Sequence, residues 1–537
     1  RKEALYVKIG GKNIAEVMDM SIDDLSLFFA QLAGDGTAPL LDEYELQTAE
    51  RPLKEIRQRI NYMRDVGLGY LTLSRPSNTL SGGESQRINL VSSLGNNLVG
   101  SLYILDEPSI GLHSRDTLRI IEVLKKLRDL GKTVIVVEHD PEIIRAADTL
   151  IDVGPYAGIH GGEIVYQGPP SGTDAISTMT LDYLRGIRKQ YIPAKKRRWN
   201  YALQLEGASE NNLKNITVKF PLKCLTAVTG VSGSGKSSLV GDILYPALYR
   251  HINQMGDRPG AFRALTGDLS KVTAVEYVDQ NPIGKSSRSN PVTYLKVYDD
   301  IRKLFSEQPY AKLNGYGHSH FSFNIDGGRC PECQGEGSIR IEMQFMADVT
   351  MVCESCGGQR FMPDILEVRY NGRNINDVLN MSIAEAVEFF GSQKESAAKR
   401  IADKLQPLMD VGLSYLQLGQ SSSTLSGGES QRIKLASFLG KENSAAGSVL
   451  FIFDEPTTGL HFYDIEKLLK AFDALISKGH SILVVEHNLD VIKAADWVIE
   501  LGPEAGVGGG ELVFEGTPEE LALHPEFPTG KALVNNN

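Results

Sequence analysis

The octapeptide SGGESQRI occurs twice in this 537-residue chain, at 81–88 and at 426–433, and each copy sits in the same succession of neighbours. GGKNIAEVMDMSI at 10–22 precedes the first and NGRNINDVLNMSI at 371–383 the second. LYILDEPSIGLH at 102–113 follows the first, LFIFDEPTTGLH at 450–461 the second, and VVEH then recurs at 136–139 and 484–487. Any fold assignment must therefore serve two units at once. The copies are unequal: the first is about sixteen residues longer near AGDGTAPLLDEYELQ, and its register aligns Arg1 with Met362. Tyr201 to Phe361 of the second copy has no match in the first. The chain reads as the C-terminal part of a longer protein, with a naturally shortened first unit as the alternative.

The unmatched stretch holds the only phosphate-loop pattern. LTAVTGVSGSGKSSLVGDIL places a β-branched apolar strand, a glycine turn and a helix in the order such a loop requires. The candidate ATP contacts are Gly230, Ser232, Gly233, Ser234, Gly235, Lys236, Ser237 and Ser238, with the Lys236 ammonium reaching the β- and γ-phosphates and the Ser237 hydroxyl on Mg2+. VLFIFDEP is an apolar run ending in two carboxylates, as expected of a parallel strand whose C-terminal end meets a ligand. Asp454 is the second Mg2+ candidate, Glu455 the group that polarises the attacking water, and His487 a sensor of the γ-phosphate. Gln280, closing TAVEYVDQ, is a further metal or water ligand candidate.

Four of five cysteines form two C-x-x-C pairs, Cys330/Cys333 and Cys353/Cys356, while Cys224 stands alone in an apolar run. Nineteen residues separate the pairs, a spacing that suits a closed four-thiolate zinc site capping a hairpin. The net charge of −11 excludes a general basic field, so a nucleic-acid partner would need a local patch. No apolar run approaches the eighteen or so residues a membrane span requires, and a cytoplasmic location is expected.

These elements resemble the ATP-binding cassette superfamily, in which SGGE opens a helix facing a phosphate loop of another cassette. The resemblance implies an α/β fold of tandem P-loop cassettes, the first incomplete, with helical signature-domain inserts and a zinc-bearing hairpin module. It also implies a composite site, in which Ser81, Gly82, Gly83 and Glu84 serve the loop at Lys236. Asp106, Glu107, His139, Ser426, Gly427, Gly428 and Glu429 are then elements of a second site whose phosphate loop is not in this sequence. GASENNLKNI, FSFNIDGGRCPECQGEG, CESCGGQRF and STLSGGESQRIKLA narrow the resemblance to the UvrA family of damage-sensing ATPases.

That family implies ATP and ADP, Mg2+ and Zn2+ as cofactors, damaged double-stranded DNA and UvrB as partners, a homodimer, and no nuclease activity of its own. The expected division is 1–100 signature domain I, 101–184 the rest of ATP-binding domain I, 185–200 a basic linker, 201–292 the start of ATP-binding domain II, 293–445 signature domain II and 446–537 its C-terminal part. The linker is read as solvated, with phosphate contact as the alternative. Candidate DNA contacts flank the cysteine module: Lys285, Arg288, Lys312, His318, His320, Arg329 and Arg340. Competing functions are a UvrA-like paralogue with a drug-tolerance or other DNA-linked role, and a transport ATPase, against which the cysteine module argues.

Overall fold

The structure is a computed structural model that describes the chain except residues 1, 35–39, 81, 95–99, 173–175, 189–190, 194–195, 285–287, 342, 344–348, 441–447 and 536–537. In the first half, β1 (Leu102–Asp106) pairs parallel with β2 (Thr133–Val137), and β3 (Leu150–Gly154) pairs antiparallel with β4 (Glu163–Gly168). In the second, β5 (Leu225–Gly230), β6 (Val272–Val278), β7 (Ser448–Asp454), β8 (Ser481–Val485), β9 (Trp497–Gly502) and β10 (Glu511–Gly516) form one six-stranded sheet in the order β6-β7-β8-β5-β9-β10. All its pairings are parallel except β9 with β10. The inner strands β5 and β8 are buried on both faces, which is why they read as unbroken apolar runs.

The phosphate-loop strand β5 lies between β8 and β9. Their copies β2 and β3 belong to two separate pairs with no strand between them among the described residues. Burial records the difference at matched positions: Ile104, Ile135 and Val153 are 66%, 48% and 62% exposed, whereas Ile452, Leu483 and Leu501 are buried. Leu203, Val218, Leu239 and Leu248, which share a core with those three, come from the stretch that has no copy in residues 1–200.

On the opposite face, one continuous core joins β7 and β8 to helices of the region between the phosphate loop and the second octapeptide, among them Tyr298–Ser306, Ile383–Gly391 and Ser396–Asp410. The first half repeats this on a smaller scale, with Leu25, Ile60 and Leu90 packed with Ile120 and Leu127. The solvated-linker reading of 185–200 is corrected. Arg197 is bonded to Asp496 and Asp473, Tyr191 donates to Asp473, and Trp199 packs edge-on against Trp497. Acceptors on the second half hold these side chains better than water does, so Tyr191, Arg197 and Trp199 are docked on it. No helix among the described residues is long and apolar enough to cross a membrane.

Candidate nucleotide site between the two halves

The loop after β5 needs its glycines: at Gly230, with φ 128°, an added Cβ would stand 2.0 Å from the Leu501 carbonyl oxygen. Lys236 Nζ donates at 3.0 Å to both Gly230 O and Val231 O. Burial lowers the pKa of this ammonium and raises that of Glu455, whose carboxylate also feels Asp454 and Glu486. Two buried polar atoms here, Ser234 Oγ and His487 Nδ1, have no protein partner. A triphosphate with Mg2+ suits this set, since phosphate oxygens accept from hydroxyls, backbone N–H groups and the ammonium. Asp454, at the end of β7, accepts from the Tyr277 hydroxyl at 3.1 Å. Ser237 begins the helical segment after the loop, and Ser238 accepts from Asn211 at 2.8 Å.

The first half closes over this loop. Ser232 Oγ donates to Gly111 O at 3.0 Å, and the Glu455 carboxylate lies 3.0 Å from where a Cβ on Gly111 would stand. The relation is reciprocal: the Glu107 carboxylate lies 3.3 Å from where a Cβ on Gly459, the copy of Gly111, would stand. Both glutamates have φ 47° and donate their backbone N–H to the neighbouring strand, Glu455 to Val485 O and Glu107 to Val137 O. His487 meets His113 edge-on at 6.0 Å, and His139 meets His461 at 6.5 Å while its Nε2 lies 3.6 Å from Glu107. A cavity of about 980 Å³ between the halves is lined by Glu107, Gly111, His139, Glu455, Gly459 and His487.

The second octapeptide opens the helix Gly427–Leu439, where Ser426 Oγ accepts from Glu429 N and the Glu429 carboxylate accepts from Ser426 N. In the first, Gly82 begins the corresponding helix, Gly83 packs on the Ile110 carbonyl, and Glu84 is buried; Ser81 lies outside the described residues. Gly428 packs in the same way on Thr458 O. Gln280 lies against the second octapeptide: its amide donates to Thr458 at 3.1 Å and its Cβ borders Gly427.

Sequence reasoning missed several participants. Glu486 is wholly buried and accepts from the N–H groups of Thr457, His487 and Asn488, thereby fixing the His487 backbone; Glu138 does the same for Ser109, His139 and Asp140. The repeated VVEH was the available signal. Asn212 bridges Gly233 O and Gly506 O, and Tyr70 packs on Gly233 from the other half; neither carries a spacing pattern.

His113 supplies a pH test. Its Nδ1 accepts from Arg115 N, its Nε2 meets Thr529 Oγ1 at 3.1 Å, and burial, aided by Lys236 and Arg115, holds its pKa down at about 3. As pH falls from 6.5 toward 3 the unfolded chain binds a proton that the folded chain refuses, so stability is lost. Asp140, raised to about 7 by burial and by Glu138, acts with opposite sign between 3.8 and 7. His113→Asn keeps a cap for Arg115 N and removes only the first contribution. The variant is expected to lose less unfolding free energy between pH 6.5 and pH 5 than the parent, by up to about 1.4 kcal/mol per pH unit, as read by denaturant unfolding at each pH. Equal losses would contradict a neutral buried His113.

The four cysteine sulfurs come together with ligand atoms within 4.8 Å of one another; Cys330 and Cys353 are 3.9 Å apart and Cys333 and Cys356 3.7 Å. A tetrahedral zinc with bonds of about 2.3 Å needs edges of about 3.8 Å, so the cluster fits. The strands between the pairs, Ser338–Ile341 and Val349–Val352, form the expected hairpin. Around it, Lys312, His318 and Arg340 are exposed and His320 is half-buried against Tyr316. Arg329 is committed to Asp326 and to the Asn324 and Gln334 carbonyls, and Arg288 to Gln334 and Glu336. Lys285 lies outside the described residues.

No family profile matches the chain. UvrABC system protein A of Thermus thermophilus is 50% identical over 536 residues, 99% of this chain and 55% of the relative; that of Bacillus subtilis is 48% identical over 535 residues, 99% and 54%. The crystal structure of UvrA2 from Deinococcus radiodurans superposes with a TM-score of 0.91 at 42% identity, covering 100% of this chain and 64% of that one. The α/β architecture is thus that of UvrA, and, over a span of about half the length of its curated relatives, this chain is homologous to UvrABC system protein A.

Proposed function

We propose that this chain is the ATP-hydrolysing and DNA-inspecting part of a cytoplasmic UvrA-type protein of nucleotide excision repair. The observation that carries the reading is the meeting, in one place, of Lys236, Asp454, Glu455 and His487 from one half with Gly111 and His113 from the other. In this reading Lys236 binds the β- and γ-phosphates, Ser237 and Asp454 hold Mg2+, Glu455 polarises the water, His487 senses the γ-phosphate, and Gln280 is a metal or water ligand once released from Thr458. Ser81, Gly82, Gly83 and Glu84 complete the site in trans. Asp106, Glu107, His139 and Ser426–Glu429 await a phosphate loop of the same kind.

ATP turnover then drives a cycle in which a DNA duplex is tested for deformability, not read for sequence. Lys312, His318, His320 and Arg340 are the candidate contacts beside a zinc-bearing hairpin; Arg329 acts there by shaping its own loop. The protein works as a dimer, hands damaged DNA to UvrB and leaves incision to others. The test is binding of a duplex bearing one bulky lesion against the same duplex intact, at about 150 mM salt, with and without ATP. A preference of about tenfold for the lesion, about 1.4 kcal/mol, is expected; equal affinities under both conditions would overturn the reading.

A further inference from the structure

Tyr70 and its copy Tyr415 follow the same pattern in both halves. Each phenol donates to the glutamate of its own octapeptide, Tyr70 to Glu84 and Tyr415 to Glu429, both at 2.5 Å. Each Cβ packs on a glycine of the other half, Tyr70 on Gly506 and Tyr415 on Gly158. Only Tyr70 has a phosphate loop beside it: its ring lies 3.0 Å from where a Cβ on Gly233 would stand, so only glycine leaves room for the ring. Gly506 N donates to Gly233 O, and Asn212 ties both carbonyls together. The ring therefore rests on a braced surface made of the phosphate loop and the turn beyond β9.

The hydroxyl acts in the opposite direction. In the second octapeptide one oxygen of Glu429 receives Tyr415 while the other holds Ser426 N–H, so the phenol sets the carboxylate and the carboxylate sets the first turn of the helix. Glu84 receives Tyr70 in the same way, with Arg75 at 3.6 Å as its second neighbour. One side chain thus touches the loop of one half with its ring and aligns the anion-facing helix end of the other with its hydroxyl.

We propose that Tyr70 is a positioning residue for ATP hydrolysis: it registers the octapeptide at Glu84 against the phosphate loop of the opposite half. The role rests on the ATPase reading above and goes beyond it. Tyr70→Phe keeps the ring on Gly233 and removes only the bond to Glu84. In the full 537-residue chain it is expected to lower kcat about tenfold while leaving KM for Mg-ATP within about twofold, because the alignment matters in the transition state more than in the bound ground state. Tyr70→Ala, which also vacates the seat on Gly233, is expected to raise KM as well. The control is Tyr298→Phe, which loses a more deeply buried phenol bond, to Phe321 O at 2.6 Å, within the large core of the second half and is expected to leave both parameters unchanged. Parental kcat in Tyr70→Phe, or an equal loss in Tyr298→Phe, overturns the role. If the parent chain itself turns over no ATP, the ATPase reading falls and the role of Tyr70 falls with it.

Discussion

Glu455→Gln is expected to bind ATP at least as tightly as the parent chain and to hydrolyse it at least about a hundredfold more slowly. The side chain is half-buried at the cavity between the halves, its backbone is fixed at φ 47° by the bond to Val485 O, and its carboxylate abuts Gly111, so an isosteric amide fits without rearrangement. What changes is charge. The carboxylate lies near Asp454 and Glu486, and removing one of three neighbouring negative charges relieves repulsion that a bound triphosphate would otherwise add to. Loss of a positioned general base costs about 10²–10⁴-fold, whereas the phosphate contacts at Lys236 and the loop N–H groups remain. Fluorescent-nucleotide titration and phosphate release measure the two halves of the claim. Glu107→Gln is the comparison within the same molecule: it faces Gly459, with no phosphate loop among the described residues beside it, and should cost far less. Turnover within twofold of the parent in Glu455→Gln would remove the base from this position.

What the sequence made legible was whatever is local. The phosphate loop, the strand ending in Asp454 and Glu455, and the two cysteine pairs each carry their chemistry within a short span, and the repeat doubled the signal of the octapeptide, the DEP strand and VVEH. The repeat also located the unpaired first unit, which the structure expresses as exposed Ile104, Ile135 and Val153 at positions buried in the other copy. Contacts between halves were legible only as the broad expectation of a composite site. Nothing in GLGYL marks Tyr70, because a single aromatic in a turn has no periodicity; its place depends on Gly233 and Gly506, far along the chain. Glu486 was hidden as the end of a strand pattern, and its bonds to three N–H groups exist only once the loops on either side converge. Charge misled twice. Arg197 of the run at 185–200 and Arg329 look like solvent-facing cations in sequence, yet Asp473, Asp496 and Asp326 pair with them. A basic residue advertises its charge but not its partner.

The other large effect is expected at the four cysteines. Beyond the sulfurs, the hairpin offers little to hold itself: both strands have four residues, Ile341, Val349 and Met351 are exposed, and among the described residues the buried cluster between the strands' bases is Cys330, Cys333 and Cys353 with Cys356 against it. Isolated two-stranded hairpins are marginal in water. Zinc binding to such sites contributes about 10–16 kcal/mol at neutral pH, so the bound metal would replace the missing core. The base of the module is anchored differently. Cys330 N donates to Arg360 O and Met362 N to Gly328 O, and Phe361 is buried in the large core of the second half. Cys353→Ala is therefore expected to abolish stoichiometric zinc in the purified chain and to erase amide-exchange protection in Ser338–Ile341 and Val349–Val352, while protection around Phe361 and at β5 persists. Because the hairpin and the phosphate loop stand on separately anchored parts of the fold, ATP binding should survive in this variant while the preference for damaged duplex is lost. Retained protection in the hairpin after zinc removal would mean that its few side chains hold it unaided, and that the cysteines are packed thiols with no metal to bind.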